Sequence, residues 1–163
     1  MGSASGRLLA FWVDPAEVKA NSAVDAEGLR RYFLLYAYRQ TESRLLSDAD
    51  FQDMKNAFIG EQGTFVRELR QQDPQTAETP LKEGDVRLVG VLFDEPHAFG
   101  YLIRTVFDFG GTDSIPMVQG MVYARHHNRH IGLRVYAVDD GPGAEQWVRQ
   151  AALAWVRALP TDL

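Results

Sequence analysis

Four β-rich runs follow one another in the second half of the chain, and only short polar stretches separate them. Connections of this length join antiparallel neighbours, because a parallel crossover needs a dozen or more residues. The pattern therefore predicts an antiparallel meander. The runs are Val86–Phe93, Phe99–Phe109, Met117–His126 and His130–Val138, and the joins are Asp94-Glu95-Pro96, Gly110-Gly111-Thr112-Asp113 and the region of Asn128.

The alternation of side chains along these runs indicates how the sheet has to be covered. The first run is apolar at both parities, which predicts a strand buried on both sides. The second run has one apolar face, opposite Arg104 and Asp108. A sheet of such strands needs packing partners above and below it. The apolar residues are Leu88 and Leu92 opposite Val89, Val91 and Phe93 in the first run, and Phe99, Tyr101, Ile103, Phe107 and Phe109 in the second.

An amphipathic helix is predicted ahead of the meander, from Asp48 to Gln71. Ser47 is a favourable N-cap residue, and the first turn is acidic, as the helix dipole prefers. Gly60 and Gly63 each weaken a helix by about 1 kcal/mol relative to alanine, so a break or bend is expected near them. The apolar stripe consists of Phe51, Met54, Phe58, Phe65 and Leu69.

A second amphipathic helix is predicted between the turn Asp140-Gly141-Pro142-Gly143 and Pro160. Glu145 near its start and Arg157 near its end suit the helix dipole. Its apolar stripe is wide enough to cover one face of a sheet. The stripe consists of Trp147, Val148, Ala151, Ala152, Trp155, Val156 and Leu159.

The N-terminal third adds two predicted strands. Leu8–Val13 is a short apolar run that ends at Asp14-Pro15. Tyr32–Arg39 is apolar at both parities, which favours a strand covered on both faces, with a helix as the rival interpretation. The polar stretch Gln72–Asp85 is expected to be a surface connection, and the start MGSASG is typical of a cloning scar or a disordered start.

Together these elements predict one α+β domain over residues 7–163. Its core is an antiparallel sheet of about six strands, sandwiched between amphipathic helices. Residues 86–159 contain, in order, VGVLFDEP, YLIRTVFDF, VQGMVYARHHNRHIGLRVYA and AWVRAL. This layout resembles the PsbP-like fold, which a photosystem II extrinsic subunit, a Ran-binding import factor and bacterial exported or lipid-anchored proteins share. The resemblance implies a binding or accessory role more often than catalysis, and it assigns no site residue.

Composition excludes several classes of function. The 22 acidic and 17 basic residues give a formal charge of −5, so nucleic acid is not an expected partner. The absence of cysteine excludes disulfides, thiolate catalysis and zinc–thiolate or iron–sulfur sites, and no cofactor motif is present. No apolar run is long enough to span a bilayer. A periplasmic or membrane-anchored exported location is expected if the start replaces a natural signal, and a cytoplasmic one is the alternative.

A histidine-rich cluster lies at the tip of the last predicted hairpin. If Asn128-Arg129 forms the turn, His127 and His130 face each other and share a metal ion, although a third ligand is still needed. This turn requires a costly left-handed conformation at Arg129. A slip of one residue would send the two histidines to opposite faces, and solvated surface histidines are the favoured interpretation.

The same hairpin is a stretch without acidic residues on an acidic protein. Its positive patch is a candidate binding site for a protein partner or an acidic ligand, although charge that keeps a hairpin soluble is the simpler explanation. Under the same register, Arg134 lies opposite Tyr123 and Tyr136 lies opposite Met121, which gives an aromatic and cationic face. Cover by a helix is favoured over an exposed binding surface there. The candidate residues are Arg125, His126, His127, Arg129, His130 and Arg134.

These patterns favour a noncatalytic binding or accessory protein of the PsbP-like kind from the bacterial envelope, monomeric or weakly oligomeric. Two alternatives remain open. One is a small metal-dependent or acid/base enzyme that uses the histidine hairpin, and the other is a cystatin- or nuclear-transport-factor-like protein with a cavity for a small molecule. No catalytic residue is assigned. The acids and histidine of Asp94-Glu95-Pro96-His97 are interpreted as turn residues rather than an acid/base pair.

Overall fold

A computed structural model describes residues 6–13, 29–38, 45–74, 79–107 and 114–159. Within these residues, six antiparallel strands form one sheet in the spatial order β1-β2-β6-β5-β4-β3. The α+β class and the predicted number of strands are confirmed, and the stretch from Arg31 to Tyr38 is a strand rather than a helix. The strands are β1 Gly6–Val13, β2 Arg31–Tyr38, β3 Val86–Glu95, β4 Ala98–Phe107, β5 Ile115–His126 and β6 Arg129–Val138.

Some sequence predictions fall outside the described residues. These are residues 1–5 of the start, Asp14-Pro15 after the first strand, Arg39, and the end of the second meander run with its Gly110-Gly111 turn. Pro160 lies outside them as well. In the described part of the chain, no helix combines the length and the apolar character that crossing a membrane requires.

The predicted helix before the meander is present and is broken where its glycines are. Helix α1 spans Asp48–Ile59 and helix α2 spans Thr64–Gln71. Ser47 caps α1, because its hydroxyl accepts a hydrogen bond of 3.1 Å from the amide of Asp50. A Cβ at Gly63 would lie 2.5 Å from the carbonyl oxygen of Phe58, so only glycine allows the tight bend between the helices.

The C-terminal helix covers one face of the sheet, as predicted. Helix α3 spans Pro142–Ala158 and packs on the centre of the sheet, over β5 and β6. The contact is close at Gly120, where a Cβ would lie 2.9 Å from Cγ1 of Val148. The fully buried side chains between helix and sheet include Leu102, Val118, Leu133 and Val135.

Helices α1 and α2 cover the opposite face, so the sandwich is confirmed. They lie on the β3–β5 side of the sheet, around Phe99, which is fully buried and contacts the rings of Phe51 and Phe58 at 5.8 and 6.0 Å. Tyr123 on β5 is buried against Phe58. On the same face, the tyrosines of β2 are only half-buried. Cover by α1 and α2 therefore ends near the middle of this face.

The β5–β6 hairpin has a different register from the predicted one. Its turn is His127-Asn128, with φ of 47° and 57°, and His126 pairs with Arg129. The prediction of an Asn128-Arg129 turn was therefore wrong. A type I′ turn needs two left-handed residues, and histidine and asparagine tolerate that conformation better than arginine.

Candidate functional site

The corrected register places one arginine at the centre of the half-covered face. Arg134 on β6 pairs with Met121 on β5 and with Leu34 on β2, instead of with Tyr123. Its neighbour Tyr136 pairs with Gln119 instead of Met121. Because residues two apart share a face, Arg134 lies between Gly132 and Tyr136 on the side that α1 and α2 only partly cover.

Tyrosines surround the Arg134 guanidinium. Its Cζ atom lies 5.5 Å from the centre of the Tyr36 ring, which allows a cation–π interaction. The hydroxyl groups of Tyr38, Tyr123 and Tyr136 are close enough to interact with it electrostatically. We call this group of residues, Arg134 with Tyr36, Tyr38, Tyr123 and Tyr136, the tyrosine–arginine cluster.

No carboxylate neutralises Arg134 among the residues that the structure describes. The side chains that interact with its charge there are tyrosines, and the carboxylate of Glu68 interacts with Tyr101. The Nε atom of Arg134 is buried without a hydrogen-bond partner in this part of the chain. The hydroxyls of Tyr38 and Tyr136 are within hydrogen-bonding reach of the guanidinium and stabilise it in part, but among the described residues its charge has no carboxylate partner.

Gly132 leaves room for the Tyr38 ring at one side of the cluster. A Cβ at this position would lie 2.6 Å from the hydroxyl oxygen and from Cε2 of Tyr38. The Tyr38 ring therefore lies across β6 in space that any other residue would occupy. There it stacks on the rings of His130 and Tyr123, with centroid distances of 4.6 and 5.8 Å.

Gln119 orients the other side of the cluster. Its Nε2 atom donates a hydrogen bond of 3.1 Å to the Tyr136 hydroxyl, and the Gln119 side chain is buried. The Tyr136 oxygen therefore accepts from Gln119, which leaves its own proton to be donated elsewhere. The Tyr136 ring is held by stacking on Tyr32 at 4.5 Å.

Burial fixes the protonation states of these groups. Desolvation raises the pKa of Tyr38 and Tyr123 above the ordinary tyrosine range, and it raises the pKa of Tyr136 to about 12. Desolvation lowers the pKa of His130 to about 4. At neutral pH the tyrosines therefore stay protonated, His130 stays neutral, and Arg134 carries the charge of the cluster.

The structure divides the predicted hairpin patch. Arg125, His130 and Arg134 share the half-covered face, whereas His126 pairs with Arg129 on the other side. His127 lies in the turn, so the predicted pairing of His127 with His130 is wrong, because a turn one residue earlier moves the partner of every residue by two. In the described part of the chain, no three metal-ligand side chains are grouped to hold an ion.

Two of the predicted candidates hold the structure together. Arg125 donates from Nε to the Leu46 carbonyl at 2.8 Å and pairs with Asp48 at 2.5 Å, which fixes the start of α1 on the hairpin. Its charge is therefore paired with a carboxylate, whereas Arg134 has no such partner in the described ranges. Asp94 and Glu95, predicted as turn residues, lie at the end of β3, and the turn is Pro96-His97. Asp94 pairs with Lys55 of α1 at 2.6 Å, which gives it a structural role.

A concavity of about 550 Å³ at the other end of the sheet also contains a partly buried arginine, which can be compared with Arg134. Residues 79–83 form part of its wall, next to Arg104 and Asp139. Arg104 lies 3.0 Å from a carboxylate oxygen of Asp139 and 3.3 Å from one of Glu145. Two acids therefore compensate this arginine. The charge of Arg104 in this concavity therefore already has carboxylate partners.

The tyrosines of β2 are the site residues that sequence reasoning missed. Tyr32, Tyr36 and Tyr38 were interpreted as parts of a core strand, and the strand is present. Their even spacing places all three on one face, the signal that was available. What the spacing does not give is the neighbouring strand: β2 pairs with β6, which brings these tyrosines to Arg134.

Comparison with known proteins assigns no family. A scan of the sequence against protein-family models finds no match, and a search of curated proteins finds no significant relative.

Proposed function

We propose that the chain is a noncatalytic binding or accessory protein of the PsbP-like kind, and that it binds a small anionic ligand at the tyrosine–arginine cluster. The observation that carries this proposal is the half-buried charge of Arg134, which no carboxylate of the described residues neutralises. An arginine in this position offers a planar fork of N–H donors, which matches a carboxylate or phosphate group. The setting we propose is the bacterial envelope, as the resemblance in layout implies.

Energetics favour an anion as the missing partner. A charge taken partly out of water costs free energy until an opposite charge or hydrogen bonds compensate it. The tyrosine rings exclude water, which strengthens any ion pair that Arg134 makes. The proton of Tyr136 adds a second donor on the same side, because its oxygen accepts from Gln119. Arg134 and Tyr136 together can hold two oxygens of one ligand.

The protonation states favour binding over acid/base catalysis. A general acid or base works best when its pKa lies near the operating pH. Here the pKa of Tyr136 is raised to about 12 and that of His130 is lowered to about 4. Neither group exchanges a proton readily at neutral pH. The cluster is therefore suited to hold an anion without transforming it.

Replacement of Arg134 should remove anion binding. We expect Arg134→Gln to weaken the binding of acetate and of phosphate by at least about tenfold, since a hydrogen bond to a charged group contributes about 1.5–3 kcal/mol. Amide chemical shifts of β2 and β6, followed in an NMR titration with each anion, measure this effect. Unfolding in urea verifies that the variant folds.

Arg129→Gln is the matched control. Arg129 lies on the same strand as Arg134, is exposed, and follows the hairpin turn. The control should bind both anions like the parent protein. If Arg129→Gln loses binding and Arg134→Gln keeps it, the site is at the hairpin tip and the proposal is wrong. Absence of binding to the parent protein would also contradict it.

A further inference from the structure

The half-covered face continues from Arg134 to an open edge of the sheet through apolar side chains. Leu34 on β2 pairs with Arg134 on one side and with Phe11 on β1 on the other. Two residues further along β2, on the same face, Tyr36 pairs with Leu8 of β1. We call these four residues, Leu34, Tyr36, Phe11 and Leu8, the apolar strip. It begins beside the guanidinium and ends at the edge strand.

The strip is accessible at its outer end. Phe11 is 45% exposed and Leu8 is 53% exposed, while Leu34 and Tyr36 are half-buried. Two steps between neighbouring strands separate β6 from β1, a distance of about 10 Å. A surface of this kind favours a ligand with one polar end at Arg134 and an apolar body that crosses β2 to β1.

The positive charge of the cluster determines which charged group of a ligand it favours. Among the residues that the structure describes on this face of the sheet, Arg134 contributes one positive charge, and Arg125 is already paired with Asp48. The neighbouring tyrosines and His130 are neutral at neutral pH, as described above. One net positive charge matches a monoanion such as a carboxylate better than a phosphate dianion.

Resting on the function proposed above, we infer that the ligand is an amphiphilic monocarboxylate. Its carboxylate binds Arg134 and Tyr136, and its alkyl chain lies on the apolar strip over Leu34 and Phe11. The binding involves no covalent step. The charge complementarity at Arg134 and the exposed side chains at the β1 end together specify this occupant.

The chain length of the ligand tests the inference. We use acetate, butyrate and octanoate as probes, with the last below its micelle concentration, and octyl phosphate as the test of the headgroup. Each methylene buried on the strip is expected to tighten binding by about fourfold at full burial. Because the strip is partly open, we expect octanoate to bind at least about tenfold more tightly than butyrate. Isothermal calorimetry measures the series.

Two adjacent residues of β1 provide a matched pair of variants. Phe11 and Trp12 are 45% and 46% exposed but lie on opposite faces, since Phe11 pairs with Leu34 and Trp12 pairs with Phe33. Phe11→Ser should remove most of the advantage of octanoate over butyrate while acetate binding is unchanged. Trp12→Ser should retain the full advantage. Leu8→Ser is a second variant on the strip, in case Phe11→Ser fails to fold.

The outcomes separate this inference from the proposed function. If acetate binds at Arg134 and octanoate binds no more tightly, the ligand class is wrong and the proposed anion site stands. If no anion binds, both are wrong. Equal losses in Phe11→Ser and Trp12→Ser, or tighter binding of octyl phosphate than of octanoate, would overturn the ligand class. So would a dimer that Phe11→Ser dissociates, because a second copy would then occupy the strip.

Discussion

Phe99→Ala is expected to lower the free energy of unfolding by about 3–5 kcal/mol, the range for removing a buried phenylalanine. Phe99 is fully buried between the sheet and α1, and its ring contacts Phe51, Phe58 and Tyr123. The change removes these contacts and leaves a cavity that rigid neighbouring rings fill poorly. Urea unfolding of both proteins, fitted with a common slope, measures the difference.

Phe11→Ala is the control for this prediction. It removes the same side chain from a position that is 45% exposed. The loss of buried apolar area is smaller and no closed cavity forms, so we expect a clearly smaller loss of stability. If Phe99→Ala costs under about 1 kcal/mol, or no more than Phe11→Ala, then α1 does not pack on the sheet as described.

Acid should destabilise the fold through His130. Burial lowers its pKa from 6.5 to about 4, so the unfolded chain binds a proton at this residue between those pH values and the native protein does not. The stabilisation is fully present above pH 6.5 and is lost as the pH falls toward 4. At 1.36 kcal/mol for each pKa unit, the loss from this group is about 3 kcal/mol.

Substitution isolates this contribution. His130→Phe keeps a ring that stacks on Tyr38 and Tyr123 but has no proton to bind. Its stability should fall less steeply than that of the parent protein between pH 6.5 and 4, by about 3 kcal/mol over the interval. His127→Asn is the control, since asparagine accepts the positive φ of this exposed turn residue. Parallel pH curves for the parent and His130→Phe would contradict the prediction.

The layered architecture could be predicted because local patterns determine it. The cap at Ser47 and the break at Gly60 and Gly63 each have a direct physical cause, and both predictions are confirmed. The packing of α3 on β5 and β6 follows from its apolar stripe in the same way. Such features need no knowledge of the distant parts of the chain. The first meander run was predicted to be buried on both sides, and that is wrong: β3 is an edge strand whose side chains are at most partly buried.

The hairpin register could not be derived so directly. Both candidate turns contain Asn128, and the choice depends on which neighbour takes a left-handed conformation. Moving the turn by one residue moves the partner of every residue by two along the opposite strand, which leaves the faces unchanged. It changes the partner of Arg134 from Tyr123 to Met121 and places His127 in the turn.

The tyrosine–arginine cluster depends on a contact that is distant in sequence. Strand β2 pairs with β6, so Tyr36 and Tyr38 meet Arg134 across almost a hundred residues of chain. The sequence placed Arg134 on an aromatic and cationic face, and the structure has such a face. It did not indicate which tyrosines complete the cluster, because period-two patterns identify a face but not its neighbours.

The NMR signal of the Arg134 Nε–H group tests the central claim most directly. This group is buried, so slow exchange with water should make it observable, and its absence in Arg134→Gln assigns it. We predict that this signal shifts progressively and saturates as acetate is added, while the signal of Arg129 stays in place. A stationary Arg134 signal, or a shift confined to Arg125 and Arg129, would contradict the proposed site.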